Sequence, residues 1–206
     1  MVINIINIDA EREAGSLNHH CTPALIKRSR EERVLSIVRQ SKQQQFSVKF
    51  WEGEVAELGY IGISKAFKKI VKWAKENKQP NVIIGEDDLV FSAPGAWQYY
   101  IENLPEDYDI YFGGIYYGDI EKGRIVKGYS GHTLIMVHER FYDFFLAADP
   151  NHHLDTWLGQ YCSEKKYIVC EPFVVTQISE GYSDNHKRMV SHSAYLETMV
   201  LFGIGS

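Results

Sequence analysis

Short apolar runs alternate with longer stretches of helical periodicity along this chain, and that alternation leaves few folds open. Val2 to Ile8, rich in isoleucine, reads as a first buried strand. Phe46, Val48 and Phe50 alternate as a second. Val82–Ile84, Asp109–Phe112, Thr133–Val137, Tyr167–Val169 and Phe173–Val175 read as further strands. Thr22 and Pro23 give an N-cap followed by proline at the first helical position. That helix is expected to reach about Gln40, with Leu25, Leu35 and Val38 inward. Gly59 to Gly62 reads as a flexible turn. The helix after it places Ile63, Ala66, Phe67, Ile70, Val71 and Ala74 on one face. Its lysines, Lys65, Lys68, Lys69, Lys72 and Lys75, lie mostly opposite and read as a solvated face.

Further helices are expected over Pro94–Leu104, His138–Ala148, Leu154–Cys162 and Ala194–Phe202. Trp97, Tyr100 and Ile101 point inward from the first, and Phe141, Phe144 and Phe145 from the second. Asp9–His20 and Gly181–Ser191 read as polar segments, and 115–128 as a loop or a hairpin. This order predicts one α/β domain over 1–206. Its sheet is expected to be Rossmann-like, mixed and mainly parallel, with helices on both faces.

The 206 residues are 45% hydrophobic, enough for one core. A net charge of −5 excludes a general electrostatic grip on nucleic acid. Cys21, Cys162 and Cys170 are widely spaced and form neither a zinc pattern nor a redox pair. They read as reduced structural thiols in a reducing compartment. MVINIINID lacks a basic lead and a cleavage site, so it reads as a strand rather than a signal peptide. No apolar run approaches the roughly 20 residues of a membrane span. A cytoplasmic location is the expectation, with the inner face of a membrane as an alternative. The apolar end, YLETMVLFGIGS, is expected to pack on the body rather than touch a membrane.

In α/β sheets, ligands bind beyond the carboxyl ends of the strands. NVIIGEDDLVF puts Glu86, Asp87 and Asp88 at such an end. Strand alternation would send Glu86 and Asp88 to one side and Asp87 to the other. Two converging carboxylates repel unless a cation joins them, and oxygen ligands suit Mg²⁺ or Mn²⁺. An exposed acidic turn is the competing account. Gly113, Gly114, Gly128 and Gly131 would allow close backbone approach to a ligand, or serve ordinary turns.

A motif order adds to this. GYIGISKAFKKIVKWA is followed by NVIIGEDDLVF, YDIYFGG, GYSGHTLIMV, HLDTWLGQY and PFVVTQISEGYSD. In this order the chain resembles glycosyltransferase family 25, which holds bacterial lipooligosaccharide β-galactosyltransferases and collagen galactosyltransferases. The match runs from about residue 59 to 184. It departs at Ser64–Lys65, where many members have Ser-His, and before Gly59, where the family's arginine-containing element is not clear. Arg12, Arg28, Arg30 and Arg33 are the candidates for that element.

The resemblance implies a GT-A fold. It also implies an inverting, Mn²⁺- or Mg²⁺-dependent transfer of a hexose, galactose by family, from a UDP-sugar. The acceptor would be a glycan, lipid-linked or protein hydroxyl. Glu86 and Asp88 would hold the metal, with His186 completing its shell and His192 as the second choice. Asp87, Asp88, Gly113 and Gly114 would meet the donor. Asp155 would be the general base, although it also reads as a helix cap. His153, Trp157, Gln177 and Asp184 would line the acceptor side; Trp157 also reads as a core residue. Two other readings remain: a non-catalytic nucleotide-sugar or glycan-binding module on a degenerate GT-A fold, and a metal-dependent phosphohydrolase.

Overall fold

The computed structural model describes residues 1–12, 21–122, 124–192 and 199–203. The elements follow one another as β1 (Val2–Asn7), α1 (Pro23–Gln44), β2 (Ser47–Glu52), α2 (Gly59–Glu76), β3 (Asn81–Glu86), β4 (Leu89–Phe91), α3 (Ala96–Glu102), β5 (Ile110–Gly114), β6 (Tyr117–Glu121), β7 (Ile125–Ser130) and β8 (Leu134–His138). After one 3₁₀ turn over Glu139–Phe141 come α4 (Tyr142–Leu146), α5 (Leu154–Gly159), β9 (Tyr167–Val169), β10 (Val175–Gln177), β11 (Glu180–Ser183) and β12 (Arg188–Ser191). Most of the loop expected before His20, and residues 194–198 of the helix expected over Ala194–Phe202, fall outside the described residues; residues 199–202 are not helical, because Leu201 instead bridges Phe173.

Eight strands form one sheet in the order β2-β1-β3-β8-β5-β9-β7-β6. Parallel pairing joins β1 to β2, β1 to β3 and β5 to β9. The antiparallel pairs all involve β8 or β7, so the other six strands run one way. From β1 the chain crosses by α1 to β2 on one side, then returns by α2 to β3 on the other. The two crossover helices pack on opposite faces of the sheet, with β1 at the point where the strand order reverses, which opens a crevice beyond its carboxyl end.

The strand alternation expected from period two is visible residue by residue. Val82, Ile84, Ile110, Phe112, Ile135 and Val137 join one core, with Phe67, Ile70, Val71 and Ala74 of α2. Ile83, Tyr111, Leu134 and Met136 join the other, with Ile37 of α1 and Trp97 and Tyr100 of α3. Phe67 is fully buried in the first core. Phe67→Ala is expected to lower unfolding free energy by about 3–5 kcal/mol, since the cavity adds to the lost transfer energy. Urea denaturation measures it.

Four expectations need correction. α1 does not turn Leu25 and Leu35 inward: they are 37% and 60% exposed. Its buried stripe is Ile26, Arg30, Arg33, Ile37 and Gln40, because two arginines find buried partners described below. Gly59–Gly62 is not a flexible turn but the first turn of α2. A Cβ at Gly62 would stand 2.0 Å from the Glu54 carbonyl oxygen, so glycine there permits close approach rather than bending. The strand expected at Phe173–Val175 lies two residues later, set by antiparallel pairing of β10 with β4. The polar segment after Gly181 is mostly a β-hairpin, β11 with β12. Residues 115–128 are largely the hairpin β6–β7.

Candidate active site

A cleft of about 260 Å³ opens at the carboxyl ends of β1 and β3. Ile6, Asn7 and Ile8 form its floor on the β1 side, and Glu86 ends β3 in it. The hairpin β11–β12 closes one wall through Ser183, Asp184, Asn185 and His186. The opposite wall carries His132 and the start of α5.

The acidic triplet splits at a turn. Glu86 still pairs as a strand residue, its N–H donating to the Thr133 carbonyl at 3.2 Å. Asp87 and Asp88 then form the turn into β4, so their directions are set by a turn and not by strand alternation. The Gln177 amide donates to Glu86 Oε2 at 2.9 Å and helps to favour the charged form of Asp88. Gln177 is placed there because β10 pairs it opposite Leu89. Asp88 Oδ1 is buried and has no hydrogen-bond partner. Burial and the neighbouring Asp88 charge push the Glu86 carboxyl well above its usual range. Burial pushes Asp88 up as well, with the charges of Arg33 and His192 opposing.

Asp87 also lines the cleft but is ion-paired. Its Oδ1 accepts from Arg33 Nη1 at 3.0 Å, in a pair that is 9% and 12% exposed. Arg33 Nη2 also donates to the Tyr182 carbonyl of β11. Burial raises the Asp87 carboxyl to about 6, against the pull of Arg33. One turn earlier, Arg30 is 1% exposed and meets Asp184 Oδ1 at 2.5 Å. Two α1 arginines thus fasten the acidic turn and the hairpin to one helix.

Asp155 sits in the first turn of α5, and the cap position belongs to His153, so the capping expectation shifts by two residues. Its Oδ2 accepts from Ser130 Oγ at 2.9 Å and the Gly131 N–H at 2.8 Å; Oδ1 accepts from the Thr156 N–H at 2.8 Å. Burial favours the protonated form. The His132 ring and those three donors more than offset it and hold the carboxyl below its usual range.

His132 is 3% exposed and packs on Phe67 and Phe112. Its Nε2 shares a 2.8 Å hydrogen bond with the Tyr129 hydroxyl. Burial lowers its pKa from 6.5 to about 4. Between those values the unfolded chain binds a proton that the native chain refuses, so this group removes stability as pH falls. At 1.36 kcal/mol per unit the loss reaches about 3 kcal/mol. The His132→Gln chain is therefore expected to show a flatter fall in stability between pH 6.5 and 4, read by urea denaturation at each pH.

Several other expected site residues lie apart from this chemistry. Gly113 and Gly114 are buried in β5, and a Cβ on Gly114 would come within 2.7 Å of the Val175 carbonyl oxygen; they let β10 pack and do not line the cleft. Trp157 packs on Phe144 and Tyr161, away from the cleft. Gln177 and Asp184 line the cleft but are engaged by the carboxylates and by Arg30. His186 lines it too, but the charges acting on its ring are Arg188, His153 and His192, not the acidic pair. Among the described residues no group of three His, Cys, Asp or Glu is arranged to hold a metal ion. His192 is the histidine whose charge reaches Asp88, and its Nδ1 is 2.7 Å from the Tyr116 hydroxyl. His132 and Tyr60, both lining the cleft, are residues that sequence reasoning missed.

No family model and no curated protein matches the chain. Solved structures do. The crystal structure of A197 from STIV aligns with a TM-score of 0.53 at 11% identity, covering 92% of this chain and 93% of that one. A glycosyltransferase involved in glycosylation of the major capsid of PBCV-1 aligns with a TM-score of 0.50 at 9% identity, covering 95% and 100%. At such identities the likeness is one of fold. The chain has a GT-A-like α/β fold, a mixed sheet whose strands mostly run one way, with helices on both faces.

Proposed function

We propose that this chain is a metal-dependent, inverting glycosyltransferase that moves a hexose from a UDP-sugar to a hydroxyl acceptor. The observation that carries the proposal is the buried, unpartnered Asp88 Oδ1 beside Glu86, in the same cleft as an ionised Asp155. The donor set fits Mg²⁺ or Mn²⁺, because such an ion takes one or two carboxylates and fills its other positions with water and substrate phosphates. Glu86 and Asp88 would hold it, and bound there it would neutralise the departing diphosphate. The resemblance to family 25 supports galactose as the sugar.

Gln177 keeps the two carboxylates in register. Arg33 pairs with Asp87 at the cleft, so that Glu86 and Asp88 are the two carboxylates of the triplet left outside an ion pair. Asp155 would accept the acceptor proton as that oxygen attacks the anomeric carbon and the bond to the diphosphate breaks. Ser130, Gly131 and Thr156 fix its orientation.

The same three donors favour a second reading, a non-catalytic nucleotide-sugar or glycan-binding module, because they lower the basicity of Asp155. Isothermal titration with UDP, with and without MnCl₂, tests the donor site. Binding that strengthens at least about tenfold with Mn²⁺ is expected, and metal-independent or absent binding would remove the proposal. Release of UDP from UDP-galactose with mixed sugar acceptors separates enzyme from module: no release under saturating donor would favour the module.

A further inference from the structure

β2 is an open edge of the eight-stranded sheet. Among the described residues, no strand pairs with its outer side. Its pairing with β1 is regular from Ser47 to Glu52, without a bulge. The N–H groups of Ser47 and Gly53 donate to the Met1 and Asn7 carbonyls, toward β1. Backbone groups alternate sides along a strand, so Val48, Phe50 and Glu52 turn their N–H and C=O groups outward. Apolar side chains gather at this edge. Phe50 is 36% exposed, and Met1 and Val2 at the start of β1 are 64% and 45% exposed.

Sheet edges that stay single are usually guarded. The opposite edge, β6, is guarded: its register shifts between Gly118 and Ile120, and Asp119 and Glu121 place exposed charge along it. β2 has one candidate guard, Lys49. Its Nζ lies 4.1 and 4.2 Å from the ring centroids of Trp51 and Trp73, drawn back over the face of the sheet. The outward groups of β2 can meet those of an antiparallel copy in three registers. Centred on Lys49, two ammonium groups oppose each other. Centred on Trp51, Phe50 opposes Glu52, and Val48 finds its partner beyond the end of the strand. Centred on Phe50, Val48 and Glu52 exchange hydrogen bonds, so all three outward residues are paired within β2. Two phenyl rings then meet at the axis, and Lys49 opposes the partner's Trp51, a second indole for the same ammonium.

We propose that this chain forms a two-fold dimer in which β2 pairs antiparallel with β2 of a second copy, centred on Phe50. The same patch serves both copies, as a closed two-fold contact requires. The two sheets become one. The clefts, at the carboxyl ends of strands that run in opposite directions, open at opposite ends of it and do not obstruct each other.

Sedimentation equilibrium of the full chain over about 1–100 μM is expected to show a monomer–dimer equilibrium. Phe50→Lys puts two ammonium groups at the axis and should weaken the dimer at least about tenfold. Cross-linking tests the register. Cys21, Cys162 and Cys170 are buried, so an added edge cysteine reacts alone. Phe50→Cys should form an interchain disulfide in a glutathione buffer, because the Cα atoms of a hydrogen-bonded antiparallel pair stand about 5.5 Å apart, within disulfide reach. Lys49→Cys should not, because its counterpart lies on the diagonal, about 7–8 Å away. If Phe50→Lys fails to fold, the Phe50→Cys cross-link decides. A parent chain that is monomeric at every concentration would overturn the dimer, as would a dimer that Phe50→Lys leaves unchanged. Cross-linking through Lys49→Cys but not Phe50→Cys would overturn the register, and cross-linking through Asp119→Cys in β6 instead of Phe50→Cys would place the contact on the wrong edge.

Discussion

Asp88→Asn protein is expected to fold as well as the parent and to bind UDP no better with Mn²⁺ than without it. The amide has nearly the same shape, and it removes one of two like charges that share Gln177. Stability should therefore hold or rise slightly, because the pair is mutually repulsive without a cation. Metal-assisted UDP affinity should fall by at least about a hundredfold, on the order of 3 kcal/mol for one lost carboxylate ligand. Electron paramagnetic resonance of free Mn²⁺ reads the metal step separately from the nucleotide. Undiminished Mn²⁺ affinity in Asp88→Asn would mean the ion is held elsewhere.

Asp87→Ala should do the reverse. Asp87 and Arg33 are a buried ion pair, and removing one partner strands the other. A stability loss of about 3–5 kcal/mol is expected, measured by chemical denaturation. Arg33→Met should cost a similar amount. Removing both together should cost less than the sum, since no charge is then left uncompensated. If the single and double variants simply add, the pair is not the coupled unit described above. The contrast matters for interpretation: two neighbouring aspartates, equally acidic in sequence, would fail in different assays.

The large architecture was legible because it follows from periodicity. Short apolar runs at 82–84, 109–112 and 133–137 select strands buried on both faces, and period 3.6 in 63–74 selects a helix with one buried face. Glu86 was singled out because a strand ends at it and Asp155 because the family resemblance pointed to it, and both line one cleft. What escaped were effects of pairing across long stretches of sequence. α1 looked as if it should bury its leucines, yet its inner stripe includes two arginines. Their partners lie 54 and 154 residues further on. The stripe itself was a signal: Arg30, Arg33 and Gln40 fall in phase with Ile26 and Ile37. Trp157 misled because an aromatic near a carboxylate suits a sugar, while Phe144 and Tyr161, which actually cover it, are placed by tertiary packing. His132 stands just before the strand expected at Thr133–Val137, and nothing local announced that it would pack on two phenylalanines.

The crevice over β1 exists because α1 and α2 diverge to opposite faces of the sheet. No side chain carves it. A chain stripped of Glu86, Asp88, Tyr60 and Asp155 would keep an opening of similar outline, since the backbone route alone separates the two helices. The location of the site and its chemistry are thus inherited from different parts of the chain. The first belongs to three parallel strands and their crossovers, which resist change. The second belongs to a turn, a hairpin and two helix starts. Those segments can be rewritten for another donor or acceptor while the cavity that receives them stays where it is.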